Sequence, residues 1–180
     1  MAATAQTARQ DIADRRLLRS FSYIGGKWTT AATGTTFDVT DPATGEVVGE
    51  VARLSGAEAA AAVDAAQAAF GPWAATLPQD RAALLRRWFE LIRASREDLA
   101  RIMVREQGKP LSEARGEIDY AAAFVEFYAE EAKRPNIEGV TSHLPDAEVE
   151  LWREPLGVAA LVTPWNFPAA MLTRKAAAAL

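Results

Sequence analysis

An apolar run closed by a proline-bracketed turn constrains this chain more than any other feature. Gly157-Val-Ala-Ala-Leu-Val162 carries no polar side chain, and Thr163-Pro-Trp-Asn-Phe-Pro168 follows it directly. Val158 to Val162, apolar at every position, reads as a strand buried on both faces, as in a parallel sheet. Phe167 to Leu180 is Ala-rich and reads as a helix packed closely on that sheet. Pro164 and Pro168 fix their own φ, remove two backbone donors and narrow the conformations open to Trp165 and Asn166. The strand–turn–helix order puts Asn166 at the carboxyl edge of the strand, where open α/β sheets bind ligands.

Asn166 offers two uncharged N–H donors that do not titrate near neutral pH. A fixed amide dipole suits a developing oxyanion, and one such donor is worth roughly 3 to 4 kcal/mol of barrier in known cases. An asparagine here would equally well cap the helix starting near Phe167, and the local residues leave both readings open. The N-terminus of that helix, with its free N–H groups, is a natural anion or phosphate site. No Gly-x-Gly-x-x-Gly occurs in the chain, so a standard dinucleotide fingerprint is absent and a pyrophosphate would be held elsewhere. Arg174 lies eight positions past Asn166, about 12 Å along a helix axis. Its planar fork suits a carboxylate, while its neighbour Lys175 favours a plain solvated surface.

The earlier chain supplies a scaffold. Phe21 to Trp28 is a strand–glycine turn–strand hairpin, and Thr36–Thr40 with Val47–Val51 makes another around Asp41-Pro-Ala-Thr-Gly-Glu46. Helices are expected at Ala57 to Phe70, capped by Ser55 with Glu58, and at Gln79 to Ala94, with Leu84, Leu85, Phe89 and Ile92 inward. Two more are expected at Ser95 to Gln107, with a Ser95–Asp98 capping box, and at Leu111 to Lys133. The Tyr120, Phe124, Phe127 and Tyr128 cluster reads as core packing. Glu126, Glu130 and Glu131 read as a solvated face, and the charges of Glu106-Gln-Gly-Lys-Pro110 as surface. Glu148 to Arg153 alternates with period two, a half-exposed strand at a sheet or subunit edge.

Composition narrows the chemistry. The 180 residues hold 20 basic and 24 acidic side chains, a formal charge of -4, and are 49% hydrophobic. That suits a cytoplasmic globular domain with a core of ordinary size and argues against a nucleic-acid surface. Without cysteine and with one histidine, His143, no thiolate, disulfide or His/Cys metal site is expected within these residues. No apolar run approaches the roughly 18 residues that suggest a membrane span. Residues 1–20 carry Arg9, Arg15, Arg16 and Arg19, but Asp11 and Asp14 spoil a transit-peptide pattern. They read as a loose extension.

Four segments in order, Tyr23-Ile-Gly-Gly-Lys-Trp28, Asp41-Pro-Ala-Thr-Gly-Glu46, Glu106-Gln-Gly-Lys-Pro110 and Thr163-Pro-Trp-Asn-Phe-Pro168, make the chain resemble the aldehyde dehydrogenase superfamily. The likeness runs from Phe21 to Leu180. Glu106 to Glu117 and Met171-Leu-Thr-Arg-Lys175 look most like succinate-semialdehyde dehydrogenases. The resemblance implies an α/β class: the N-terminal part of the aldehyde dehydrogenase fold, with small antiparallel strands and several helices. The first strand and helix of a Rossmann-like parallel sheet then follow. Residues 21–145 would begin the cofactor-binding domain, 146–157 form a subunit-contact strand, and 158–180 form that first strand–turn–helix.

The resemblance further implies oxidation of an aldehyde to an acid with NAD or NADP, through a cysteine thioester. Asn166 would serve the oxyanion hole, Val162, Thr163, Pro164 and Trp165 would line the cofactor, and Arg174 would pair with a substrate's distal carboxylate. The family's cysteine and glutamate base have no counterpart in these residues, so the expectation is a clipped segment of a longer homo-oligomeric enzyme, inactive alone. The rival expectation is a short non-catalytic product serving binding or oligomerisation, with no nucleic acid, membrane or metal partner in either case.

Overall fold

A computed structural model describes residues 12–134 and 136–180. The first strands are set by turn chemistry. Gly25 and Gly26 both have positive φ, 57° and 80°, as a tight two-residue hairpin turn requires. β1 (Ser22–Ile24) therefore pairs antiparallel with β2 (Lys27–Thr29), with Ile24 opposite Lys27. β3 (Thr36–Thr40) pairs likewise with β4 (Val47–Ala52). Asp41 closes their connection: its N–H donates to the Glu46 carbonyl, its carbonyl accepts from Gly45, and its carboxylate accepts from the Ala43 N–H.

Four helices follow: α1 (Gly56–Ala74), α2 (Pro78–Ala94), α3 (Arg96–Gln107) and α4 (Leu111–Glu131). Glu58 accepts from the Ser55 N–H at 2.6 Å and from the Ala32 N–H at 2.5 Å. The expected capping carboxylate thus also ties α1 to the chain ahead of β3. α1 runs through Pro72 to Ala74, past the expected end at Phe70. The Ser95–Asp98 box does not form. Ser95 ends α2 and starts α3 at once, with no side-chain cap bond. Asp98 instead accepts from the N–H groups of Ala13 and Asp14, at 3.0 and 2.8 Å.

That bond changes the picture of the N-terminal extension. Residues 1–11 lie outside the described residues, but Ile12 is buried and Arg15–Leu17 forms a 3-10 turn capped by Asp14. The described part of the extension is docked on α3.

α4 is the central helix, and α2, α3 and α5 (Pro168–Ala179) all pack on it. Its buried stripe is Ala114, Ile118, Ala121, Ala122, Val125 and Ala129. Small side chains along this stripe let the neighbouring axes approach closely. Leu85 and Ile92 of α2, Ala100 and Met103 of α3 and Ala177 of α5 complete the core. The aromatic cluster joins it only in part: Tyr128 packs against the core and Phe124 is half-buried, but Tyr120 and Phe127 are exposed. Helical geometry gives the inward arc to the alanine series, and the Tyr120 and Phe127 rings fall outside it. Leu84 is likewise exposed, because Ala82, Leu85 and Ile92 take the inner face of α2.

The acidic face of α4 is paired rather than merely solvated. Arg86 donates to Glu126 at 2.8 Å and to Glu130 at 2.7 Å, and Glu131 takes Arg134. Arg96 grips Asp119 with two bonds of 2.7 Å. Each exposed pair stabilises little by itself, yet together they fix the rotation of α2 and α3 against α4.

β5 (Ile137–Val140) pairs antiparallel with β6 (Val149–Trp152), leaving Leu151 and Trp152 exposed. The expected strand at Val158 to Val162 is not formed. Among the described residues the three sheets are two-stranded and antiparallel, and Val162 is 84% exposed. A strand apolar on both faces needs neighbours along its edges to satisfy its N–H and C=O groups, and β5 and β6 pair only with each other. The expected helix does form, but α5 rests on α4 instead of on a sheet. No described helix is long and apolar enough to cross a membrane.

Candidate active site

One segment, Gly108 to Glu117, meets the turn at residues 163–168 and is itself seated on the distant turn at Pro42. α3 ends at Gly108, which takes the left-handed conformation with φ 80° and closes the helix onto the Val104 carbonyl. A Cβ added to Gly108 would lie 2.8 Å from Cγ of Pro42. The turn after β3 therefore seats the end of α3, and that seat fixes where Lys109 leaves the helix.

Lys109 was expected at the surface, but its side chain is only 8% exposed and that of its partner Glu117 only 1%. The Lys109 ammonium pairs with the Glu117 carboxylate and donates to the Asn166 carbonyl at 2.9 Å. It also lies 4.0 Å from the centroid of the Phe167 ring. Glu117 completes the arrangement by accepting the N–H groups of Ala169 at 2.9 Å and Ala170 at 3.3 Å.

Ala169 and Ala170 carry first-turn amides of α5. The positive helix end expected to receive a ligand anion is thus occupied by the protein's own carboxylate. A cofactor pyrophosphate has no place at these two amides.

Asn166 itself is exposed, and no hydrogen bond from a described residue engages its carboxamide. It does not cap α5, whose N-cap residue is Phe167 with no side-chain cap bond. Of the two sequence readings, the helix cap is not the one adopted. Its main chain is clamped by Lys109 while its two amide donors remain available. Val162, Thr163, Pro164 and Trp165 lead into the turn and are exposed, Trp165 to 78%.

Arg174 sits on the outer face of α5, roughly 9 Å along the axis from Pro168. Its guanidinium carbon lies 5.3 Å from the Phe124 ring centroid, and that ring packs 4.6 Å from Tyr120. Contact with an aromatic face steadies a cation without neutralising it. Its other contact among the described residues is a long one, 3.9 Å to the Met171 sulfur. Arg86, Arg93, Arg96, Arg101 and Arg115 all hold carboxylates. Arg174 holds none among the described residues, so it keeps its full capacity for an external anion.

Two other features are less informative. A groove of about 920 Å³ runs between α1 and residues 153–161, lined by Phe70, Trp73, Leu85, Tyr128 and Leu156. It includes none of the predicted site residues, and its wall is the apolar segment that lacks a sheet. No cluster of three His, Cys, Asp or Glu side chains that could hold a metal exists among the described residues.

Sequence reasoning missed Lys109 and Glu117 as a unit. They stand eight residues apart, and Lys109 lies in the break between α3 and α4, so no continuous helical or strand register relates the two side chains. The usable signal was chemical: a lysine and a glutamate flanking a helix start require partners if both are buried.

The model of the aldehyde dehydrogenase family matches residues 28–180. The glutarate-semialdehyde dehydrogenase of Pseudomonas putida is 52% identical over 93% of this chain and 35% of its own length. The NADP(+) succinate-semialdehyde dehydrogenase GabD of Escherichia coli is 47% identical over the same shares, 93% and 35%. A crystal structure of an NADP-dependent enzyme from E. coli superposes with a TM-score of 0.89 at 46% identity, covering 93% of this chain and 35% of that one. The chain spans about a third of the length of the curated relatives it matches.

Proposed function

Because the chain belongs to the aldehyde dehydrogenase family, we propose that it serves an NAD(P)-dependent enzyme that oxidises a carboxylate-bearing aldehyde such as succinate semialdehyde. Arg174 carries this reading: an exposed guanidinium, steadied by Phe124 and holding no described carboxylate, on the helix that starts beside Asn166. The names of two relatives, a glutarate-semialdehyde and a succinate-semialdehyde dehydrogenase, support it, since both substrates end in a carboxylate.

In this reading the substrate lies along α5. Arg174 takes the distal carboxylate through its planar fork, and the aldehyde end reaches the Asn166 turn. Nucleophilic attack on the aldehyde carbon drives the carbonyl pair onto oxygen, and the Asn166 amide donates to that oxygen as its charge develops. The amide needs little reorganisation, because its backbone is already held. The 180 residues contain no cysteine, so the attacking thiolate belongs to the rest of the proposed enzyme. Val162, Thr163, Pro164 and Trp165 offer an accessible wall for the nicotinamide cofactor, which when bound accepts the hydride. The exposed β5–β6 ribbon suits a homo-oligomer contact.

The test is a substrate comparison in an enzyme of its relatives' length that carries this segment. Arg174→Ala should raise KM for succinate semialdehyde at least tenfold and leave KM for a neutral aldehyde of similar length within about twofold. Equal effects on both substrates would remove Arg174 from the substrate site.

A further inference from the structure

We propose that the buried Lys109–Glu117 pair is the positioning device for Asn166. It would hold the turn so that the carboxamide meets the reacting oxygen. The inference rests on Asn166 acting as the oxyanion donor.

The two side chains grip the C-terminal half of the turn and the helix start that follows it. Lys109 holds the carbonyl of Asn166 itself, and Glu117 holds the amides of Ala169 and Ala170, three and four residues further on. Pro164 and Pro168 restrict φ within the turn but donate no hydrogen bonds, so they shape the bend without fixing its place on the scaffold. The fixing is done by the pair, and through it by α4, the most deeply packed helix. Gly108, seated on Pro42, sets the approach of Lys109. Asn166 is thereby referenced to the core through a charged, nearly solvent-free joint, although its own side chain touches no partner there.

A simpler role, joining α4 to α5, would also bury an ion pair. It would not require a bond to the main chain of the one residue with the reacting amide. An isolated buried pair stabilises weakly, since desolvating two charges offsets most of their attraction. Its value then lies in geometry. Orientation of a catalytic donor is sensitive to shifts of about 1 Å, which cost roughly a hundredfold in rate.

A mutant cycle in the complete enzyme tests the inference. Glu117→Gln keeps the shape and an oxygen for the two amides but breaks the charge pairing with Lys109. It should lower kcat/KM for the aldehyde about tenfold in the parent and less than twofold when Asn166 is already Ala. Equal losses in both backgrounds would assign the pair a merely structural role and overturn the proposal. If Asn166→Ala alone leaves kcat/KM unchanged, the oxyanion reading itself fails, and the inference fails with it.

The double variant Lys109→Met with Glu117→Gln removes both charges together and so guards against loss of folding through one stranded ion. It should keep the parent's thermal midpoint within a few degrees and show the same background-dependent loss. In the cofactor-free protein its backbone amides at residues 165–167 and 169–171 should exchange with deuterium faster than the parent's. Parent-like exchange there would equally overturn the proposal.

Discussion

The Lys109 ammonium stands 2.9 Å from the carbonyl oxygen of Asn166, a bond that spans 57 residues of chain. It joins two motifs that look independent in the sequence, Glu106-Gln-Gly-Lys-Pro110 and Thr163-Pro-Trp-Asn-Phe-Pro168. Because the contact is to main chain, it immobilises Asn166 and leaves the carboxamide uncommitted. A third motif, around Asp41-Pro42, enters through Gly108, so the site is organised by contacts among turns rather than by one element.

Gly108 is the first point where a small change should propagate. Gly108→Ala places a Cβ about 2.8 Å from Cγ of Pro42 in a backbone region that favours glycine. The strain and overlap should cost about 2 kcal/mol of stability or more, read as a lower urea midpoint. Moving Lys109 should also lower the rate of the complete enzyme; a variant with parental midpoint and rate would show that Pro42 gives way freely.

Val125 is fully buried at the centre of α4. Val125→Ala removes two methyl groups where four helices meet and should destabilise by about 2 kcal/mol. Equilibrium urea unfolding is the check, and a loss under half that value would mean that the surrounding alanines close the space.

Glu97 gives the protein a defined acid response. Hydrogen bonds from Arg115 and then Arg101 hold its carboxyl at about 2, against an ordinary 4.5. Its folded value is depressed, so the stabilisation is present above about pH 4.5 and is lost as pH falls toward 2. Asp14, also held at about 2 by Arg16, acts in the same direction. The thermal midpoint should fall between pH 5 and pH 3, roughly the window of these shifts, and Glu97→Gln should flatten that fall. Parallel curves for parent and variant would remove Glu97 from the acid response.

Asp98 moors the described start of the chain. Asp98→Ala deletes the acceptor for the Ala13 and Asp14 amides, so trypsin should cut at Arg15, Arg16 or Arg19 faster than in the parent. The midpoint of the helical core should move by only a few degrees. Unchanged cleavage would show that burial of Ile12 suffices to hold the segment.

How much was legible in advance divides along physical lines. Both hairpins, the five helices and the proline-bracketed turn follow from local rules, because φ restriction, glycine turns and apolar periodicity act over a few residues. The placement of Asn166 in the proline-bracketed turn and of Arg174 on the following helix was legible for the same reason. Asp98 was misassigned because a local cap and a distant amide compete for the same carboxylate, and only packing decides between them. The strand at Val158 to Val162 failed for a related reason, since an apolar run becomes a strand only where other strands lie beside it.

By itself the sequence determined which segments bend, which coil and which side chains could do chemistry. Only the tertiary structure decided that Glu117 fills the α5 N-terminus, that Lys109 is buried against Asn166, and that Arg174 rests on Phe124 without a carboxylate. Those outcomes depend on the directions of side chains brought together across dozens of residues. Such directions are fixed when helices pack, and no local spacing encodes them.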